Sequence, residues 1–284
     1  MLTQMEPSHP TFLVLTDLSD AAERAARYAA ALAAPLGAQL VLLHLFHDPL
    51  LAPEMVTITA ELAYRNQAET AAALRQLADD LPVPAEPEVT VMGLYEAVLD
   101  ANRRYQPLLV VVGVSTEHDW LERLLNNQAV PVLRRLGLPL LLVPEAVAVT
   151  QLPGHVVIAA DTEPFRLTPA SYAARRVLLN SWAAAYTVVY VREEWETSAS
   201  PVVRVLNHVW DSGLLFPQQP CDTYTVQAAS PAAGILQAAT DTQADLLILP
   251  LRPRSVLAGL WHRSVVAGLL HHCRFPVLLL PTEA

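Results

Sequence analysis

The feature that most constrains the chain is a block that occurs twice, Leu108 to Pro144 and Asp245 to Pro281. Each copy passes from a continuous apolar stretch through a loop and an amphipathic helical stretch to a proline and a second apolar stretch: LLVVVG to LGLPLLLVP, then DLLILP to RFPVLLLP. A shift of 137 positions lays Pro139 on Pro276, Pro144 on Pro281 and Leu133 on Leu270 without a gap. Strands that are unbroken Val/Leu runs need cover on both faces, which predicts parallel strands flanked by helices. Open sheets of that kind bind ligands beyond the carboxyl ends of their strands, so functional residues are expected in those loops.

The length of 284 residues suggests two units of roughly 150 residues, and the repeat puts the seam near Ala146 to Pro153. The expected domains are 10–146 and 153–284. Hydrophobic residues make up 53% of the chain, enough for two cores. The two cysteines, Cys221 and Cys273, form no C-x-x-C pattern and no disulfide framework, which suits a reducing cytoplasm. The opening MLTQMEPSHP lacks the basic and apolar regions of a signal peptide. No apolar run reaches the ~18 residues of a membrane span, so a soluble protein with no membrane partner is expected.

All 18 cationic residues are arginine. The absence of lysine excludes Walker A loops, protein-kinase chemistry and lysine Schiff bases. Residues 1–150 hold nine arginines against 18 acids, net −9, and the remainder nine against ten, net −1. Such an acidic surface repels a phosphate backbone, so nucleic acid is not an expected partner.

In order, Thr11 to Leu15 predicts a strand and Ala21 to Leu36 a helix, with Glu23 three places after Asp20 resembling a capping box and Gly37 ending it. Gln39 to Phe46 is a second strand and Ile58 to Leu81 a helix. Pro82, Pro84 and Pro87 forbid further helix, and Glu88 to Met92 returns as a strand. Gly93 turns into a helix at Glu96 to Arg104, and Leu108 to Val112 opens the repeated block. The second half keeps this order: strand His155 to Ala159, helix from Thr168–Pro169 to Trp182, strand Tyr186 to Val191, helix Pro201 to Trp210, strand Thr223 to Ala228 and helix Ala232 to Thr240. Asp161 falls on Asp17 at a shift of 144.

The opening FLVLTDLSDAAERAARYAAALAAPLGAQLVLLHLF, the turn VMGLYEAVL, the strand LLVVVG and the ending RRLGLPLLLVP together resemble the universal stress protein family, as a tandem pair. The resemblance implies an α/β fold of two doubly wound, five-stranded parallel-sheet domains, Rossmann-like and related to adenine-nucleotide alpha hydrolases. It implies a pseudo-twofold pairing through the last strands, here Leu140 to Val143 against Val277 to Leu280, whose open edges would otherwise be exposed. In ATP-binding members the phosphates lie on a G-x2-G-x9-G loop followed by Ser or Thr, where backbone N–H groups reach the anion. The matching positions are Gly113, Thr116, Asn126 and Asn127 in the first copy, and Pro250, Pro253, Arg263 and Ser264 in the second. One glycine of three remains in the first and none in the second, and each proline deletes a donor. Hydrogen bonds to a charged group contribute about 1.5 to 3 kcal/mol each, so losing two weakens binding by roughly 100-fold or more.

The family's aspartate at the end of the first strand, which helps hold adenosine, matches Asp17 and Asp161, with Thr16 and Leu45 beside it in the first copy. The competing reading is that each carboxylate satisfies N–H groups in a strand-to-helix turn. His271, His272 and Cys273 are adjacent and point about 100° apart on a helix, so they do not converge on one metal. His44 and His47 end a strand and read as structural. Arg252, Arg254, His262 and Arg263 surround the second loop, either as a side-chain anion site or as a solvated loop. No G-x-S-x-G, H-E-x-x-H or dinucleotide fingerprint is present, so no catalytic residues and no metal are expected.

The expectation is a cytoplasmic stress-response binding protein with degenerate phosphate loops and no enzyme activity. It would act on an unidentified protein partner without a cofactor. The alternative is a regulatory module binding ATP or AMP with magnesium in the first domain, and a third reading is a weak nucleotide hydrolase. The apolar stretch Ser255 to His271, with Trp261, is the first candidate for a contact such as a homodimer interface.

Overall fold

The computed structural model describes residues 9–46, 60–115, 136–147, 152–192, 201–216, 219–252, 265–266, 268–269 and 274–283, with backbone alone at 60–65. The first half contains β1 (Thr11–Thr16), α1 (Asp20–Ala33), β2 (Gln39–Leu45), α2 (Ala60–Asp79), β3 (Ala85–Thr90), α3 (Leu94–Tyr105), β4 (Leu109–Val114) and β5 (Leu140–Pro144). The second contains β6 (His155–Ala159), α4 (Pro169–Ser181), β7 (Ala185–Arg192), α5 (Pro201–Asp211), β8 (Asp222–Gln227), α6 (Pro231–Asp241), β9 (Leu246–Leu251) and β10 (Val277–Pro281).

Among the described residues, ten strands form one sheet in the order β3-β2-β1-β4-β5-β10-β9-β6-β7-β8. The order reads the same from both edges when each strand is exchanged for its counterpart, the signature of a pseudo-twofold at the centre. Pairing is parallel within each half. At the centre β5 and β10 run antiparallel, with Val277 opposite Leu142, Leu278 opposite Leu141 and Leu279 opposite Leu140. Strand order reverses beside β1 in the first half and beside β6 in the second, so each half has its own switch point between β1 and β4 or between β6 and β9.

The continuous apolar runs are covered on both faces. Phe12 and Val14 pack into one core layer with α1 and α2, whereas Leu13 faces the other with Ala97, Val98 and Ala101 of α3. In β4, Leu109 and Val111 take the first layer and Val110 and Val112 the second. Alternation of side chains along a strand therefore puts apolar residues on both sides, and no position is left for a polar face.

Two local expectations are corrected. Ser19, not Asp20, caps α1: its side chain accepts from Ala22 N, and Glu23 instead forms an i,i+4 pair with Arg27 at 2.6 Å. β3 begins at Ala85, three residues before the expected Glu88, and contains Pro87 opposite Leu42. The missing N–H at Pro87 is tolerated because β3 is an edge strand with an unpaired side. The middle of the first repeated block, including Leu133, and most of Ser255 to His271 lie outside the described residues.

The halves also meet away from the sheet. Thr168, the N-cap of α4, accepts from Ser171 N and donates to Gly137 O at 3.1 Å. Inside the second half, Ser171 of α4 donates to Pro281 O at the end of β10 at 2.8 Å, and Arg24 of α1 donates to Val147 O just beyond β5. Among the described residues, no helix is long and apolar enough to cross a membrane.

Candidate functional site

The first switch point is built by local sequence. After β1, Thr16 Oγ1 accepts from Leu18 N at 3.0 Å, and Leu18 takes a left-handed backbone with φ 64°. The exposed Asp17 carboxylate accepts from Ser19 N at 3.0 Å and from Ser19 Oγ at 2.5 Å. This is an Asx turn, which presets the start of α1. His44 Nδ1 lies 2.9 Å from Thr16 O, so that nitrogen carries the proton and donates to the carbonyl. Leu45 is half-buried at the end of β2 and packs on the second core layer.

Gly113 lies on β4 at closest approach to α1. A Cβ there would sit 2.3 Å from Ala21 O and 2.8 Å from Ala22 N. The glycine thus has a packing cause that is independent of any phosphate. Thr116, Asn126 and Asn127 lie outside the described residues, as do Ser264, Pro253, Arg254, His262, Arg263 and the His271–His272–Cys273 run.

The second switch point differs in charge. Asp161 Oδ1 accepts from Glu163 N at 2.9 Å, repeating the turn of the first half. Arg252, which follows β9, also closes on it in a two-pronged pair, Nη1 to Oδ2 at 2.9 Å and Nη2 to Oδ1 at 2.6 Å. Nη1 also meets Glu163 Oε2 at 2.6 Å, and Nη2 reaches the Glu163 carbonyl. Four acceptor contacts therefore match the four N–H groups on the terminal nitrogens. Nε, the fifth donor, is buried and has no partner among the described residues. The side chain of Arg252 is 12% exposed, with its guanidinium 5.9 Å from the centre of the Phe165 ring.

Behind this pair is a cavity of about 180 Å³ at the carboxyl ends of β6, β7 and β9. Ala159, Phe165, Val189, Ile235, Leu249 and Val266 supply much of its wall, with Asp161 and Arg252 at its polar side. Pro250, on β9 opposite Leu280, is part of the lining and has no N–H to offer. Among the described residues, no group of His, Cys, Asp and Glu could hold a metal.

The family model described as "Universal stress protein family" matches residues 10–144 and again 154–281. The chain belongs to the universal stress protein family. A universal stress protein from Archaeoglobus fulgidus DSM 4304 has a similar structure, with TM-score 0.62 and 15% identity over 95% of this chain and 97% of that one. A functionally unknown protein from Pseudomonas aeruginosa PAO1 gives TM-score 0.55 and 14% identity over 97% of this chain and 93% of that one. These likenesses concern the fold. No curated protein matches the chain.

Within this tandem universal stress protein, the structure brings Thr16, Asp17 and Leu45 to one switch point with Gly113 on the neighbouring strand, and Asp161 to the other. Sequence reasoning placed Arg252 in a cationic cluster around the second loop. The structure places it on two carboxylates, and the parts played by Glu163 and Phe165 were missed. The available signal was the cation at Arg252 where the first copy has Ser115, in a half that retains the strand-end aspartate.

Proposed function

We propose that this universal stress protein is a cytoplasmic stress-response binding protein that works without turning over nucleotide and with little or no affinity for ATP. The observation that carries the reading is the bidentate Arg252–Asp161 pair. The aspartate that the family resemblance assigns to adenosine is already occupied in the second domain, by a cation tied also to Glu163. The missing donor at Pro250 and the packing cause of Gly113 point the same way. No nucleophile and base meet at either switch point among the described residues, which supports a role in binding over catalysis. Its target would be another protein.

A second reading is favoured by one observation. Asp17 has no cation on it among the described residues, so the first domain keeps an open aspartate where the second does not. On that reading ATP or AMP with magnesium binds in the first domain and alters affinity for the partner.

Thermal unfolding of the full chain with and without millimolar MgATP separates the two. A ligand at 100 times its dissociation constant adds about 2.7 kcal/mol, so a real site moves the midpoint by several degrees. The expected result is no such shift. A shift abolished by Asp17→Ala, and enlarged by Asn126→Gly with Thr116→Gly, establishes the second reading instead.

A further inference from the structure

The sheet ends in two edges, β3 and β8, and the chain treats them differently. β3 carries Glu86, Pro87 and Glu88, so an incoming strand would meet two carboxylates and a position with no N–H to give. Charge and proline are the usual guards of an edge. β8 reads Asp222, Thr223, Tyr224, Thr225, Val226, Gln227, with no proline, no cation and its one charge at the end. Its Thr, Tyr and Val are strand-favouring residues.

Register fixes which main-chain groups of β8 are open. Ala185 N donates to Gly154 O, and Val189 O accepts from Ala160 N, so the odd-numbered residues of β7 turn their main chain to β6. The even-numbered ones turn to β8. Val188 lies opposite Thr223 and so bonds its neighbours Asp222 and Tyr224. Thr223, Thr225 and Gln227 are left with N–H and C=O directed off the sheet, where no strand lies among the described residues. In β3 the same construction turns Pro87 outward, because Leu40 N donates to Pro84 O and Leu42 lies opposite Pro87. Thr223 therefore stands where the first half has proline.

The side chains agree. Tyr224 and Val226 pack on the layer that holds α6, so Thr223, Thr225 and Gln227 take the opposite face, and all three are exposed. On that face α5 has 11 residues where α2 has 20, and it leaves them uncovered.

We propose that β8 is a docking edge for a second copy of this chain, paired antiparallel about a twofold axis through Thr225. That register sets Thr225 opposite its own counterpart and Thr223 opposite Gln227 of the other copy, so each outward residue exchanges hydrogen bonds with another. On the α6 face Tyr224 falls opposite Val226, an aromatic and β-branched pair of the kind that stabilises sheets. The two copies of Asp222 lie at opposite ends of the pair, so no carboxylate faces its like. Charge favours a copy of the chain meeting at this edge. Residues 1–150 carry net −9 and the remainder net −1. Joining at β8 brings the nearly neutral halves together and holds the acidic halves at the far ends of the combined sheet, whereas joining at β3 would do the reverse.

Light scattering of the full chain at up to about 0.1 mM, where micromolar contacts are fully formed, is expected to give twice the 31.0 kDa chain mass. Thr223→Pro copies the guard of β3 and removes no hydrogen bond to β7. It should weaken association at least about tenfold, since two intermolecular hydrogen bonds are lost per pair, and leave the circular dichroism spectrum unchanged. Thr225→Glu and Thr225→Arg each place like charges at the axis, which is destabilising for directly opposed residues, and each should be monomeric alone. An equal mixture of the two should recover the double mass. The mixture decides the matter even where the proline variant does not fold. A monomeric parent overturns the proposal. So does a double mass that survives both Thr225 variants, which would place the contact elsewhere, or a mixture that stays monomeric.

Discussion

Gly113 shows how one residue can satisfy a motif for a reason unrelated to that motif. Its Cα faces the first turn of α1 so closely that any side chain would meet the Ala21 carbonyl. Gly113→Ala is expected to destabilise the protein by about 1–3 kcal/mol, the usual cost of overpacking, as read by urea denaturation. An unchanged midpoint would return the glycine to the phosphate loop. Arg175 poses the opposite problem. It is fully buried on α4 and donates through Nε to Leu214 O at 2.7 Å, with its guanidinium 3.8 Å from the centre of the Phe216 ring. Both terminal nitrogens are without a partner among the described residues, and burial lowers its pKa. Replacing a poorly compensated buried charge with an apolar residue of similar length is commonly neutral or stabilising by about 1–4 kcal/mol. Arg175→Met should therefore unfold at an equal or higher temperature, and a clear fall would mean that the Leu214 and Phe216 contacts outweigh the desolvation.

At the scale of elements, the exposed edge at β3 is managed by side chains from α3. Tyr105 donates to Glu86 Oε1 at 2.8 Å, and Arg104 ties Glu88 of the strand to Asp100 of its own helix. Burial, followed by the hydrogen bond to Glu86, pushes the Tyr105 phenol up to about 12. An acid whose folded pKa is raised contributes stability fully below its unfolded pKa of about 10. That contribution is lost as pH rises through the folded value. Alkaline unfolding curves of the parent and Tyr105→Phe should therefore converge between about pH 10 and 12. Parallel curves across that window would show that the phenol does not couple to folding. The same element shows what was legible in the chain and what was not. The prolines at 82, 84 and 87 were read as the end of helix, which is sound local stereochemistry. That Pro87 could nevertheless lie inside a strand depended on β3 being an edge, a matter of strand order that no local window contains. The cap of α1 moved for a local reason instead: Ser19 and Asp20 are both good caps, and the Asx turn from Asp17 chose between them.

At the scale of the whole molecule, a pseudo-twofold joins two parallel half-sheets through one antiparallel seam. The residues at the seam are almost wholly buried: Leu140, Leu141, Leu142, Leu278 and Leu279 are each 2% exposed or less. A fragment comprising residues 1–146 would expose that edge of Leu140 to Val143. An unpaired apolar edge strand is a template for pairing. The fragment is expected to self-associate, with a solution mass of at least twice its own by light scattering, and addition of lysine or glutamate at Leu141 should suppress this. A stable monomeric fragment would show that the seam contributes little.

The chain by itself determined the alternation of strands and helices, the two-sided cover of the sheet and the duplication of the fold, because hydrophobic periodicity and turn chemistry are local and repeat when the sequence repeats. It also supplied an aspartate at the end of each half's first strand. Only the tertiary structure decided what each aspartate does. Arg252 reaches Asp161 across 91 positions because β9 lies beside β6 in the sheet, and that neighbourhood is fixed by strand order. Proximity between distant side chains decides whether a carboxylate faces a ligand or an arginine, and it is a property of the folded sheet.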